Sequence, residues 1–377
     1  MFSVKPNLSF QVDIGSAKDV SGIDRIRSYE RSGLFVPGIE IQLSTSDDKV
    51  VKEIWEGNKI KVLYGRNERL DLFGEYKILT YQIFRQTNYW AISLVGVHPG
   101  ISFSVNGKSR FFEKKSYEVL KSVLGESFLV KSEAKPTDDK MVWIQTKFMS
   151  NKAFALKVWQ HSWYPGNNIL LLGIKRDGTA VITDLETLST KEDIRIGTLK
   201  GYKRFVGGYG WNAESHLPNY FTSSEVVDWD LKNFKYKEED YKYRAVLGIN
   251  DPVSYLEGKN EIYRFFVDDN AHPNYNFAYA KNTEILSKLS SLMFSFMWEV
   301  CPECGSGELN EDRPPLELFQ VVKFAVEETD KGQNPKDFSR AFLPVSGKYI
   351  IASLETVIAP GKPMFQSVYM FKDSFRV

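Results

Sequence analysis

The chain has 377 residues, of which 42% are hydrophobic and 14% aromatic, with 49 basic residues against 48 acidic ones. That length predicts two or three folded units of about 100 to 200 residues each, and the apolar share excludes a disordered chain. A formal net charge of +1 provides no global electrostatic drive toward phosphate backbones or anionic membranes.

The opening stretch MFSVKPNLSFQVDIG lacks the unbroken apolar core of a signal peptide, and nowhere do about 18 apolar residues run together. Synthesis and folding in a cytosol are therefore expected. Residues 1 to about 106 read as strands and turns. Ile60, Val62 and Tyr64 alternate with Lys59 and Lys61, and Trp90, Ile92 and Leu94 alternate with Ala91, Ser93 and Val95, the period of two that a sheet requires. Short strands in such succession predict a barrel or sandwich.

The pattern changes at KSYEVLKSVLGE. Ser116 is placed to cap a helix whose Val119, Leu120, Val123 and Leu124 share one face, and Gly125 sits where it stops. A second helix is expected from Ser150 toward Pro165-Gly166, with Phe154, Val158 and His161 on one stripe. Two apolar runs about Asp177-Gly178 then predict a hairpin. Residues 191 to 237 return to strand-like pieces, and 238 to 281 are mixed and aromatic. After Asn282 a further helix is predicted, because Ile285, Leu286, Leu289, Leu292, Met293, Phe296 and Met297 repeat at helical spacing. Past Pro314-Pro315, the stretches LELFQVVKFAVEE, KYIIASLETVIA and SVYMFKDSF read as three more strands. No repeat between the first and last β regions is visible in the sequence.

The two cysteines, Cys301 and Cys304, have the spacing of one zinc knuckle, which needs two further ligands. No second such pair exists, and His98, His161, His216 and His272 lie at no ligand spacing. A histidine from elsewhere, Glu303, Glu308 or a symmetry-related chain would have to complete a zinc site. The favoured reading is a loop tip with two reduced thiols and no cofactor. His161, between Trp159 and Trp163, is expected to be a packed histidine, not a base. GGYGW, at 207–211, does not join a strand to a helix as phosphate binding demands. KYKEEDYKYR reads as a solvated face or a subunit rim, and Glu308, Glu311 and Asp312 carry no readable pairing. No catalytic constellation emerges. Nineteen tyrosines, 26 phenylalanines and eight tryptophans fit a protein that buries extra surface against partners.

Three stretches, in this order along the chain, carry a resemblance. VLYGRNERLDLFGEYKILTYQI resembles strands of the first barrel in baseplate hub proteins of contractile-tailed bacteriophages, a family related to the hub part of type VI secretion spikes. GKSRFFEKKSYEVLKSVLGE resembles the junction after that barrel. GKYIIASLETVIAPG followed by SVYMFKDSF resembles the closing hairpin of the second barrel. The likeness runs from about residue 55 to 374, and CPECGSGELNEDRPP departs from the family pattern.

The resemblance implies an α+β, mainly β chain with two similar tail-tube-like barrels and a discontinuous α/β domain between them. The first barrel would be residues 1–106, the α/β domain 107–190 with 238–300, and the second barrel 191–237 with 301–377. It further implies a homotrimeric ring in a virion baseplate, assembled in the host cytoplasm and without catalytic residues. A threefold spike would bind one face, a sixfold tail tube or tube initiator the other, and wedge proteins the rim. DNA would pass through without specific binding. Two rival readings are a β-rich carbohydrate-binding or depolymerising tail protein and a zinc-knuckle nucleic-acid-binding protein centred on Cys301 and Cys304.

Overall fold

The computed structural model describes residues 8–66, 69–105, 107–191, 194–196, 205–206, 221–230, 235–241, 256–266, 271–291, 293–300, 314–324 and 347–372. Period-two alternation near the N-terminus becomes six strands, β1 (Leu8–Ile14), β2 (Ile23–Arg31), β3 (Gly38–Thr45), β4 (Lys59–Arg66), β5 (Arg69–Arg85) and β6 (Trp90–Val97), with a short helix α1 (Asp48–Lys52) before β4. Asp47 caps α1 by accepting from the Lys49 amide at 2.8 Å.

The central stretch contains α2 (Ser102–Val105), β7 (Arg110–Lys114), α3 (Ser116–Leu124), β8 (Leu129–Ser132), β9 (Met141–Gln145), α4 (Asn151–Gln160), β10 (Leu170–Ile174), β11 (Thr179–Asp184) and α5 (Leu185–Ser189). The remainder comprises β12 (Ile194–Ile196), β13 (Phe205–Val206), β14 (Phe221–Asp230), β15 (Lys235–Tyr241), β16 (Leu256–Phe266), α6 (Tyr275–Ser291), β17 (Met293–Val300), β18 (Val321–Phe324), β19 (Gly347–Ile358) and β20 (Met364–Phe371). Among the described residues no helix is long and apolar enough to cross a membrane.

The fold is mainly β and is dominated by one 12-stranded sheet made of two equally wired units. Neighbours in the first unit run β1-β4-β5-β6-β3-β2, and in the second β12-β18-β19-β20-β17-β13. Numbered along the chain, each unit pairs its first, fourth, fifth, sixth, third and second strands. One direction differs: β1 is antiparallel to β4, whereas β12 is parallel to β18.

The correspondence extends to single residues. The β5–β6 ladder skips Leu79, so that Ile78 faces Gly96 and Thr80 faces Val95. The β19–β20 ladder skips Ala352, so that Ile351 faces Met370 and Ser353 faces Tyr369. One residue before each bulge, the same loop clasp recurs. Gly57 N donates to Ile78 O and Ile78 N to Asn58 O; Phe319 N donates to Ile351 O and Ile351 N to Gln320 O. Gly57 has φ +88°, and its counterpart Phe319 has φ 64°. A side chain there costs about 1–2 kcal/mol, offset by burying the Phe319 ring with Leu318, Val321 and Ile350.

A single core spans both units. Val12, Ile41 and Leu94 of the first are contiguous with Phe296, Leu354 and Val368 of the second. A second core joins α3 and α4 to β10 and β11 around Trp143, whose indole donates to Lys114 O at 3.1 Å. A third packs Leu171, Leu185, Ile285 and Leu289 against Phe319, Ile350 and Ala352, so the central unit covers the outside of the second half-barrel.

The hairpin about Asp177-Gly178 forms as β10 and β11, and Gly125 ends α3. Ser150 caps α4 by accepting from Ala153 N at 3.1 Å. Ser116 does not cap α3. It is the first helical residue, and its amide donates to the buried Asp139 carboxylate at 2.9 Å. The predicted helix after Asn282 also differs. It begins earlier, at Tyr275, and ends at Ser291, while Met293, Phe296 and Met297 belong to β17. A short apolar run suits either period, and ladder pairing to β20 and β13 decides it: Phe296, Trp298 and Val300 alternate inward. Thus β17, expected in the α/β domain, lies in the large sheet, while β14 and β15 form a separate sheet with β16.

Candidate functional site

The place where the two units meet distinguishes this chain from a protein with one barrel. β2 and β19 pair antiparallel, with Arg31 opposite Ser353, Tyr29 opposite Glu355, Arg27 opposite Val357 and Ile26 opposite Ile358. Backbone ladders of this length fix register, because a slip of one residue would turn Ile26, Leu354 and Ile358 out of the core. Side chains reinforce it: Ser353 Oγ donates to Glu30 O at 3.0 Å, and Arg27 Nε lies 2.9 Å from Glu355 Oε1. Glu40 stands 3.8 Å from the same guanidinium, so the exposed face of the joint is charge-matched at Arg27.

On the inward face lies a charge that the alternation of β2 would assign to an apolar residue. Glu30 is 2% exposed. Its carboxylate accepts from Arg176 N and from Arg176 Nη1, each at 2.9 Å, and the guanidinium stacks over Phe73 at 4.7 Å. Burial works to discharge Arg176, but the Glu30 carboxylate, together with Tyr76 and Glu317, outweighs it and holds the guanidinium above its ordinary value. The nearby Tyr76 hydroxyl is raised, chiefly by burial and then by Glu30. The pair ties the β10–β11 turn of the central unit to the strand that joins the half-barrels. Its sequence signal was an acid two positions beyond Ser28 on the inward side, with the matching arginine 146 residues away.

A second anchor holds α6 to the central unit. Lys281 is fully buried, donates to the carbonyls of Tyr164 and Gly166, and lies 4.3 Å from the centre of the Trp163 ring. Burial pulls its pKa down from 10.5 to about 7, with a small opposing pull from Glu186. Below about pH 7 both folded and unfolded chains carry this proton and the burial cost is fully felt. Between about 7 and 10.5 only the unfolded chain holds it, so stability rises with pH. Urea midpoints are expected to climb from about pH 7 to about pH 9, and to climb less in Lys281→Met; a flat profile in the unmodified chain would contradict this.

His161 is packed as expected, stacked on Tyr275 at 3.8 Å, with Nδ1 donating to Tyr275 O at 3.0 Å. His272 Nε2 donates to His161 O at 3.2 Å, so these two histidines meet around Tyr275. His98 stands apart and accepts from Gly100 N at 3.0 Å. Cys301, Cys304, Glu303, Glu308, Glu311, Asp312, His216 and the GGYGW stretch lie outside the described residues. Among the described residues no group of three or more His, Cys, Asp or Glu is placed to hold a metal.

The overall fold is similar to those of several solved structures. A tail protein from Neisseria meningitidis MC58 matches with a TM-score of 0.63 at 11% identity, covering 97% of each chain. The 43 kDa tail protein of prophage MuSo2 from Shewanella oneidensis matches at 0.62 and 11% identity, over 97% of this chain and 99% of that one. A chain of the Francisella PdpA-VgrG complex matches at 0.51 and 9% identity, over 99% of this chain and 54% of that one. No protein-family model matches the chain, and no curated protein matches it in sequence.

Proposed function

We propose that this chain is a structural protein of a phage tail, the central hub of a contractile baseplate, and that it performs no catalysis. The observation that carries the reading is the duplication of one six-strand wiring within a single chain, joined edge to edge by β2 and β19. Three such chains in a ring present six alike units while keeping threefold symmetry. That is what an adapter between a sixfold tail tube, or its initiator, and a threefold spike requires. Baseplate wedge proteins would contact its rim.

The fold shared with the two tail proteins over nearly their whole length supports a place in the virion tail, with assembly in the host cytoplasm. The similarity to a chain solved in a PdpA-VgrG complex supports a spike-type partner. A heterologous contact whose rotation closes gives a ring, and a permanent one buries well over the roughly 1,600 Å² of a standard interface. The formal net charge of +1 agrees with a channel that lets DNA slide, since a strongly basic wall would hold it through counterion release.

Light scattering on the purified protein tests the reading. A mass three times the 43.3 kDa of one chain is expected, alone or on adding the spike protein. A monomer under both conditions would overturn it.

A further inference from the structure

The turn between β9 and α4 holds an aromatic ring out in solvent. Phe148 is 98% exposed, and it stands with Lys147 at the corner of the turn that Met149 N closes on Thr146 O at 3.0 Å. The backbone beneath it is braced. Gln145 Nε2 donates to Met149 O and to Asn151 Oδ1, each at 2.9 Å, and Ser150 caps the helix that follows. Gly107 runs behind the turn so closely that a Cβ there would lie 2.2 Å from Met149 O and 2.9 Å from Lys147 O. A surface turn is ordinarily built from Gly, Pro, Asn, Asp and Ser, so nothing in the local backbone asks for a phenylalanine here.

The apolar surface continues onto β7 and β9. Phe112 and Trp143 pack against the core of the central unit, which puts Phe111 and Ile144, directly opposite each other on the two strands, on the outer face; they are 73% and 57% exposed. Val105, two residues before Gly107, is exposed as well. The charges nearby do not cancel. Glu126 answers both Lys108 and Arg110, and Glu113 is matched by Lys140 at 3.6 Å. Among the described residues Lys147 and Lys152 form no ion pair. Exposed apolar surface marks a contact site, and a surplus of positive charge around it selects an anionic partner.

We infer that this face of the central unit docks on the anionic surface of a lipid bilayer, with the Phe148 ring entering the boundary between headgroups and acyl chains and Lys147 and Lys152 lying against the lipid phosphates. The shape of the tip favours a bilayer over a protein. A projecting ring on a braced turn needs a partner that gives way around it, and the headgroup layer does so, taking aromatic and aliphatic side chains at the interface while lysines hold to anionic lipid. The near-neutral charge of the whole chain is no obstacle, because attraction to a charged surface falls off within a Debye length and is set by the residues that face it. The inference goes beyond the structural role proposed above and does not depend on the ring.

Co-sedimentation of the full chain with vesicles of phosphatidylcholine, with and without phosphatidylglycerol, tests this. Binding is expected to the vesicles that contain phosphatidylglycerol and to weaken as salt is added. Phe148→Ser should weaken it roughly tenfold, and Lys147→Gln with Lys152→Gln by about fivefold for each lysine. All three side chains reach into solvent, so the variants should fold as the parent does. Leu72→Ser, which removes an exposed apolar residue from β5 in the first half-barrel, should bind as the parent does. A parent chain that ignores both kinds of vesicle would overturn the proposal and leave a protein as the partner of this face. Equal binding to the two kinds would overturn the role of the lysines. Undiminished binding by Phe148→Ser, or an equal loss in Leu72→Ser, would overturn the assignment of the face. The assay reads binding at any oligomeric state, so its failure leaves the ring standing, and a monomer that binds leaves the docking surface standing.

Discussion

Glu30→Ala is expected to lower the stability of the protein by about 3–5 kcal/mol, because removing one member of a buried ion pair leaves the other uncompensated. The orphan would be Arg176, held over Phe73 beside the β2–β19 joint. Arg176→Ala should cost a similar amount by stranding Glu30, which is 2% exposed. Packing and charge can be separated. Replacing both residues with apolar ones, Glu30→Met with Arg176→Leu, removes both charges at once and is expected to recover most of the loss. Chemical denaturation followed by tryptophan fluorescence checks this. Single variants as stable as the parent would show that the pair does not hold the central unit to the joint.

The second large effect is expected at Asp184, at the end of β11. Its carboxylate is fully buried and accepts from Lys135 N at 2.8 Å, Asn168 Nδ2 at 2.9 Å, Thr187 N at 2.9 Å and Thr187 Oγ1 at 2.7 Å. It thereby caps α5 and fixes two loops of the central unit. Asp184→Ala leaves these donors unmet at about 1–3 kcal/mol for each that water cannot reach, so a loss of about 3–5 kcal/mol is expected. Asp184→Asn keeps the size and part of the acceptor capacity and should lose less. Because a chain with several units need not unfold in one step, the effect is to be read from the transition that exposes Trp143 and Trp159, both in this core. Equal losses in the two variants would contradict the hydrogen-bonding account.

The sequence made the strands of the first unit, the two central helices and the hairpin at Asp177-Gly178 legible because each rests on local chemistry: alternation, a cap, a turn glycine. The duplication was not legible as a repeat. Counterparts such as Gly57 and Phe319, Leu79 and Ala352, or Tyr81 and Leu354 share backbone geometry but face different neighbours. Ala352 lies under the central unit and Leu79 does not. Ladder register and a bulge position constrain alternation, not identity, so two units can keep one wiring and lose all visible likeness. The resemblance to hub proteins supplied the pair of barrels that the residues alone did not.

The exchange of helix for strand at Met293 has a related cause. Leu289 and Phe296 suit one helical stripe, yet Phe296, Trp298 and Val300 also alternate, and only the open edge of β20 selects between them. The Glu30–Arg176 pair was invisible for a simpler reason: its members are brought together by the packing of the central unit on the first half-barrel, and no local pattern encodes that.

Electron microscopy of the purified protein, class-averaged down its symmetry axis, tests the ring most directly. The account predicts a closed threefold ring with six alike lobes about a central channel, formed by the chain alone or with its spike partner. Isolated two-lobed particles under both conditions, or rings with another symmetry, would contradict it.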